Sequence, residues 1–86
     1  MGQLSNEQLL KLKTDNISNG VGTVSTLFVE SARGAMLRDV EGRDIIDFAG
    51  GIAVMNVGHS HPKVVAAIKD QAERFTHTCF MVNPYE

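Results

Sequence analysis

The sequence predicts an α+β fold, in which an N-terminal helical arm is followed by a three-stranded antiparallel meander and a second helix. Three observations support this prediction: a helix-capping pattern near the N-terminus, three β-prone runs separated by glycine turns, and one amphipathic run that begins at a proline. We divide the chain into an arm, residues 1–22, and the first part of a small domain, residues 23–86.

The first helix is predicted over residues 6–15 by the residues around its start. Ser5 is placed to cap the helix while the side chain of Gln8 reaches back, which is the pattern of a capping box. Leu4 and Leu9 are spaced as a hydrophobic staple. Two glycines, at positions 20 and 22, then end the helical pattern. Because the helix lacks a wide apolar stripe, we interpret it as an arm that packs on another surface.

Three β-prone runs follow the arm, and we expect each of them to form one strand of a single antiparallel meander. They span residues 26–31, 35–40 and 44–48. Gly34 and Gly42 lie in the two connections, where glycine adopts the positive φ of a tight hairpin turn at little cost.

Four carboxylate side chains surround the second of these turns: Asp39, Glu41, Asp44 and Asp47. Acidic residues at such positions are typical of a solvated turn and of edge strands that are protected against further pairing. We therefore assign them structural roles instead of acid–base catalysis.

The clearest helical pattern in the chain begins at Pro62, which suits the first position of a helix. Apolar residues then recur at helical spacing, at Val64, Val65, Ile68, Ala72 and Phe75. We predict a helix over residues 62–75.

The composition restricts the class of protein and its partners. The chain has 43% hydrophobic and 21% charged residues and a formal charge of −2, without a basic run that would bind nucleic acid or an anionic membrane. Its single cysteine forms no intramolecular disulfide, and no run is long enough to span a membrane, so we expect a cytoplasmic protein. A meander and two helices leave a sheet face uncovered, which indicates a piece of a larger protein or an oligomerising module.

His59, His61, His77 and Cys79 are the candidate metal ligands. They form one H-x-H and one H-x-C pair, whereas structural zinc ligands are usually separated by two or more residues. We therefore predict no metal site: His59 lies in a loop, His61 caps the following helix, and Cys79 is a small buried residue. The nearby glycines match neither of the two common phosphate-binding motifs, which makes a phosphate site unfavourable.

Residues 37–62, LRDVEGRDIIDFAGGIAVMNVGHSHP, resemble the N-terminal signature of the class III, pyridoxal-phosphate-dependent aminotransferases. That signature begins D-x-x-G, continues with a strand that ends in Asp, and closes with G-H-x-H-P before a helix. The runs DFAGGIAV, KVVAAI and HTCF are similar to the 4-aminobutyrate aminotransferase branch in particular. The resemblance covers residues 17–86.

The resemblance implies that the chain is the N-terminal part of a fold-type I homodimer. Such an enzyme uses pyridoxal 5'-phosphate to move an amino group from 4-aminobutyrate, or a similar ω-amino acid, to 2-oxoglutarate. The family's lysine that binds the cofactor covalently, its aspartate and its phosphate-binding groups all lie downstream of residue 86. The resemblance therefore implies no catalytic or cofactor-binding residue in this chain, and no transaminase activity of the 86 residues alone.

The resemblance also implies one substrate-binding position. In the family the residue after the paired glycines reaches the active site, and here that residue is Ile52, with Gly51 beside it. An apolar side chain there would pack against the methylene spacer of an ω-amino acid. The alternative is that Ile52 belongs to the core of the small domain. Residues 79–82 resemble a segment near the cofactor or the dimer partner, but Met81 replaces a polar residue, so no contact is assigned to it.

Two other functions remain open from the sequence. One is a different class III aminotransferase, acting on acetylornithine, ornithine, β-alanine or 5-aminovalerate, because these enzymes share the same D-x-x-G and G-H-x-H-P framework. The other is a freestanding, non-enzymatic module that oligomerises through its uncovered surfaces.

Overall fold

The computed structural model describes residues 3–85 of the chain. Its elements are α1 (Asn6–Asn16), β1 (Val29–Arg33), β2 (Met36–Asp39), β3 (Asp44–Ile46), the short helical turn α2 (Gly50–Ala53) and α3 (Pro62–Arg74). The three strands form one antiparallel sheet in the order β1-β2-β3. The predicted α+β arrangement of a helix, a three-stranded meander and a second long helix is therefore confirmed.

Helix α1 begins as the sequence predicts. The Ser5 hydroxyl accepts the N–H of Gln8 at 3.2 Å, and the Gln8 side-chain oxygen accepts the N–H of Ser5 at 2.8 Å, so the predicted capping box is present. The helix continues to Asn16, one residue further than expected. It ends there because the chain becomes extended at Ile17, whose N–H still donates to the carbonyl of Lys13.

Strand β1 lies later in the chain than predicted. The Ser25 hydroxyl accepts the N–H of Leu27 at 3.0 Å, and this local turn keeps the preceding segment out of the sheet. At the other end, Arg33 pairs with Met36 across a two-residue turn, so Arg33 belongs to the strand and not to the turn. Strand β2 is one residue shorter than predicted at each end, and β3 begins at Asp44 as predicted but ends two residues early.

The N-terminal arm is held against the β2–β3 turn by one side chain. The Asn6 amide oxygen accepts the N–H of Phe28 at 2.7 Å, and its nitrogen donates to Asp39 at 2.9 Å and to Glu41 at 2.5 Å. Asn6 is only 7% exposed, although almost every other residue of α1 faces solvent. The arm therefore packs through a buried amide and not through an apolar stripe.

Asp39 corrects one prediction from the sequence. We expected a solvated carboxylate, but Asp39 is fully buried beneath the turn. Burial by itself would raise the pKa of Asp39, but hydrogen bonds from Arg43 and Asn6 outweigh it and lower the pKa from 3.8 to about 2. The carboxylate accepts the N–H groups of Glu41 and Arg43, so it closes the D-x-x-G turn from inside. Asp44 does face solvent, paired with Arg38 at 2.8 Å.

Helix α3 confirms the strongest prediction, with an end at Arg74 instead of Phe75. His61 is its N-cap, and the ring Nδ1 of His61 accepts the N–H of Lys63 at 3.2 Å, so the predicted capping role is confirmed. Pro62 occupies the first turn, where its missing N–H removes no helical hydrogen bond. The helix ends because Phe75 is extended.

The structure is open and lacks an apolar core. None of the apolar side chains in residues 3–85 is buried. The accessible area is 7387 Å², about 2,400 Å² more than a compact chain of this length exposes. The radius of gyration is 17.0 Å, where a compact domain of this length has about 12 Å. Within the described residues, no helix combines the length and the apolar character needed to cross a membrane.

Candidate functional site

The candidate site lies in the segment that connects β3 to α3, and we name residues 47–59 of that segment the glycine loop. It begins with a sharp change of direction at Asp47, the residue after β3. One oxygen of the Asp47 carboxylate, Oδ1, accepts the N–H of Ala49 at 3.1 Å and the N–H of Gly50 at 2.9 Å. An aspartate that bonds the backbone two residues ahead forms a turn of its own, so the strand ends here and the chain leaves the sheet.

The glycine loop then makes a turn with an unusual backbone. Gly50, Gly51, Ile52 and Ala53 have φ angles of 52°, 61°, 59° and 61°, all in the left-handed region. The first two positions suit glycine, whereas a left-handed residue with a side chain costs about 1–2 kcal/mol. For a β-branched residue such as Ile52, positive φ is a genuine outlier. Backbone strain of this kind concentrates at functional sites.

Gly51 is closely approached by two side chains and has a left-handed backbone. A Cβ atom at this position would lie 3.0 Å from Cγ2 of Val54 and 3.6 Å from Cγ of Met55. The side chains of Val54 and Met55 therefore fold back over Gly51, and the side chain of Ile52 faces solvent. Ile52 is 86% exposed, so no contact within residues 3–85 buries it. Its contact with a substrate stays a prediction, as does that of Gly51.

The far end of the glycine loop is fixed at His59. The N–H of His59 donates to the carbonyl of Gly34 at 2.9 Å, and the N–H of Gly34 donates back to the carbonyl of His59 at 3.0 Å. The neighbouring Gly58 lies so close to this turn that a Cβ atom on it would come within 3.0 Å of the Gly34 Cα. The β1–β2 turn and the end of the glycine loop are therefore held in direct backbone contact.

A side-chain contact joins the two ends of the loop. Nε2 of His59 lies 2.5 Å from Oδ2 of Asp47, and their side chains are only 18% and 8% exposed. This hydrogen bond, with a second from the Gly50 N–H, lowers the pKa of Asp47 below its usual value against an opposing effect of burial. Because an ionised carboxylate only accepts hydrogen bonds, His59 is the donor. The prediction that His59 lies in a loop is confirmed, and its partner was not foreseen.

The four candidate metal ligands do not come together. The ring of His61 is used to cap α3, and His59 bonds to Asp47. Within residues 3–85, no group of three or more His, Cys, Asp and Glu side chains is arranged to hold a metal ion. Cys79 is half-buried instead of buried as predicted, because it occupies a turn at positive φ whose carbonyl accepts the N–H groups of Val82 and Asn83.

The start of the glycine loop does not suit the phosphate group of a cofactor. The N–H groups of Ala49 and Gly50, which could face an anion, already donate to the Asp47 carboxylate. The negative charge of Asp47 would also repel a phosphate at this position. The lysines lie on the two long helices, at positions 11 and 13 of α1 and 63 and 69 of α3. The start of the glycine loop therefore offers no cofactor phosphate site.

The segment after α3 folds back through aromatic contacts that the sequence did not indicate. The ring of Tyr85 lies 5.4 Å from that of Phe75 and 5.5 Å from that of Phe80, both edge to face. The Thr78 hydroxyl donates to the carbonyl of Asn83 at 2.9 Å and closes the same turn. Met81 is 90% exposed, so no described contact assigns it a role.

Comparison with known proteins identifies relatives along nearly the whole chain. The family model for aminotransferase class-III matches residues 17–86. The chain is 50% identical over 82 residues to the 5-aminovalerate aminotransferase of Pseudomonas putida and 49% identical over 82 residues to the 4-aminobutyrate aminotransferase of Escherichia coli. Each of these alignments includes 95% of this chain and 19% of the relative. The chain thus spans about a fifth of the length of the curated relatives it matches.

The structural comparison agrees with the sequence comparison. The ornithine aminotransferase of Toxoplasma gondii, crystallised with partial occupancy of PLP at its active site, superimposes with a TM-score of 0.78 and 30% identity. The match includes 86% of this chain and 17% of that structure. Most of this chain therefore has the same fold as one part of that solved enzyme.

Proposed function

The chain belongs to the class III aminotransferase family, and from this we propose that it is the N-terminal segment of a pyridoxal 5'-phosphate-dependent enzyme. The enzyme would move an amino group from 4-aminobutyrate, or a similar ω-amino acid, to 2-oxoglutarate. The observation that supports this most is the identity of about one half to 4-aminobutyrate and 5-aminovalerate aminotransferases along 95% of the chain.

The segment's own contribution would be one wall of the amino-donor pocket. The strained turn holds Ile52 away from the sheet, with 86% of its surface available to groups outside the described residues. The donors in question are chains of methylene groups with a charge at each end. An aliphatic side chain at this position can bury the methylene groups but forms no hydrogen bond or ion pair with the charged ends. It would therefore discriminate between donors by their number of methylene groups.

The segment would carry no catalytic group of its own. We propose that the lysine that binds the cofactor, and the groups that hold its phosphate, belong to the remaining part of the enzyme. The purified 86-residue chain, mixed with pyridoxal 5'-phosphate and dialysed, should then keep no cofactor absorbance and catalyse no transamination. A stoichiometric absorbance band that survives dialysis would overturn this part of the proposal.

We also propose that the complete enzyme is a cytoplasmic homodimer. The open structure supports association, because about 2,400 Å² of surface beyond that of a compact chain is left for the remaining part of the enzyme and for a second subunit to cover. Analytical ultracentrifugation of the full-length protein should give twice the monomer mass, and a monomer at micromolar concentration would refute the dimer.

The length of the preferred donor is a separate question. The 5-aminovalerate enzyme and the 4-aminobutyrate enzyme differ by one percentage point in identity to this chain, so 5-aminovalerate is the second candidate. Purified full-length enzyme, assayed with each donor and 2-oxoglutarate, tests both candidates through the formation of glutamate. Glutamate formed with either donor supports an ω-amino acid aminotransferase, whereas activity with acetylornithine or ornithine alone would replace that assignment.

A further inference from the structure

The two ends of the glycine loop are joined by the contact between Asp47 and His59, twelve residues apart in the chain. In a structure where nearly every side chain faces solvent, these two are largely shielded, at 8% and 18% exposure. Nε2 of His59 lies 2.5 Å from Oδ2 of Asp47, and a hydrogen bond to an ionised carboxylate is stronger than one between neutral groups. We name this contact the loop clasp.

The histidine of the clasp is itself firmly placed. Its main chain exchanges two hydrogen bonds with Gly34, at 2.9 and 3.0 Å, so the ring projects from a backbone position that the β1–β2 turn fixes. The preceding residue, Gly58, packs against the same turn without room for a side chain. The clasp therefore ties the loop to the sheet and not only to itself.

The aspartate of the clasp also bonds to the strained turn that contains Ile52. While Oδ2 of Asp47 accepts from the ring of His59, Oδ1 accepts the N–H of Gly50 at 2.9 Å, at the first residue of the turn. Only Gly51 separates Gly50 from Ile52. One carboxylate thus links the fixed histidine to the backbone that carries Ile52.

A left-handed turn that contains a β-branched residue persists only when its surroundings fix it. The described structure provides three such constraints: the hydrogen bonds of Asp47 to the start of the turn, the helical bonds from Ala53 and Val54 to the carbonyls of Ala49 and Gly50, and the clasp. Of these, only the clasp links the turn to His59, whose main chain is bonded to Gly34 of the β1–β2 turn.

We propose that Asp47 and His59 are positioning residues for amino-donor selection, which hold Ile52 at the pocket wall through the loop clasp. This inference rests on the proposed aminotransferase function. Neither residue need touch the donor: His59 orients Asp47, Asp47 orients the turn, and the turn sets the depth to which Ile52 enters the pocket. Loss of the clasp would release the turn toward unstrained backbone angles and move Ile52.

The test is donor discrimination in the full-length holoenzyme. The ratio of kcat/KM for 4-aminobutyrate to kcat/KM for 5-aminovalerate is measured in the wild type, His59→Ala and Asp47→Asn. One methylene in an apolar pocket changes discrimination by about 10–200-fold, so displacement of the wall should change the ratio by about 10-fold. A general structural defect would lower both activities in proportion and leave the ratio unchanged.

Three further variants separate positioning from other effects. His59→Gln keeps a side-chain N–H near the place of Nε2 and should restore most of the wild-type ratio. His61→Ala removes another histidine of the same segment, which caps α3, and Asp44→Asn removes an aspartate of β3 paired with Arg38. Neither of these two residues contacts the clasp, so both control variants should keep the wild-type ratio.

A second measurement does not depend on catalysis. Hydrogen exchange of the Ala49 and Gly50 amides, which donate to Asp47, should be about 10-fold faster in His59→Ala than in the wild type, as expected when a charge-assisted hydrogen bond is lost. His61→Ala should leave their exchange unchanged. The measurement also applies if His59→Ala is inactive with both donors. In that case, exchange of these two amides at the wild-type rate would show that the clasp does not hold the turn.

The outcomes distinguish this inference from the function on which it rests. A wild-type enzyme that transaminates neither donor would refute the proposed function. An active wild type with the same donor ratio in His59→Ala and Asp47→Asn, or with an equal change in His61→Ala, would refute the positioning role alone. A changed ratio in both clasp variants, restored in His59→Gln, would support it.

Discussion

The close approach of Gly58 to Gly34 gives a quantitative prediction. A Cβ atom on Gly58 would lie 3.0, 3.1 and 3.2 Å from the Cα, oxygen and carbon atoms of Gly34, all of them backbone atoms that move only with the whole turn. Overpacking of this kind costs about 1–3 kcal/mol. The residue also has a φ of 79°, which adds about 1–2 kcal/mol for any residue with a side chain. Gly58→Ala should therefore destabilise this junction by about 2–5 kcal/mol.

Gly34→Ala is the matched control. Gly34 also has a positive φ, of 57°, but a Cβ atom there meets nothing within 4 Å. This variant should carry only the backbone cost of about 1–2 kcal/mol. The difference between the two variants, about 1–3 kcal/mol, isolates the steric contact and corresponds to a factor of about 5–150 in a local opening equilibrium.

The assay is hydrogen exchange of the His59 amide in the full-length protein, because this N–H donates to the Gly34 carbonyl. Gly58→Ala should speed its exchange about 5–150-fold more than Gly34→Ala does. Gly42→Ala, at another open position with a φ of 83°, should leave this amide unchanged. Equal exchange of the His59 amide in Gly58→Ala and Gly34→Ala would show that Gly58 is not in steric contact with the β1–β2 turn.

Two further predictions concern the arm and its buried carboxylate. Asn6→Ala should weaken the attachment of α1 by about 1–3 kcal/mol, because buried partners of the amide lose their hydrogen bonds, and the α1 amides should exchange faster. Asn16→Ala, which removes an exposed amide bonded to the Leu12 carbonyl, should have no such effect, and an equal effect of both variants would contradict the account. The pKa of Asp39 is about 2 in the folded state, below its ordinary value, so its stabilisation is present above pH 4 and lost as the pH falls from about 4 to about 2. Asp39→Asn should flatten acid unfolding over that interval, as followed by circular dichroism, and an unchanged acid transition would count against a buried, ionised Asp39.

Local patterns in the sequence were sufficient to predict α1, the three strands and α3, but not the short turn α2. The capping box at Ser5, the glycines of the hairpins and the proline that starts α3 each act within a few residues, so their structural consequences follow from the adjacent sequence. The strand ends were less predictable. The hydroxyl of Ser25 decides where β1 begins, and one oxygen of Asp47, Oδ1, decides where the chain leaves the sheet.

The contacts that define the candidate site could not be predicted in the same way. Asn6 meets Asp39 across 33 residues, and His59 meets Asp47 across 12, so neither pair leaves a periodic pattern in the sequence. Only the resemblance to a known family drew attention to Ile52, through the paired glycines that precede it. The left-handed backbone of Ile52 itself contradicts its local preference and reflects the constraints around it.

The most direct test of the account is the effect of Ile52 on donor choice. In the full-length enzyme, Ile52→Gln is compared with Ile46→Gln, the same change at an exposed position on β3. If Ile52 forms the apolar wall of the donor pocket, Ile52→Gln should change the ratio of kcat/KM for 4-aminobutyrate and 5-aminovalerate by about 10-fold or more, and Ile46→Gln should not. An unchanged ratio in Ile52→Gln, with both activities retained, would contradict a role of Ile52 in the donor pocket.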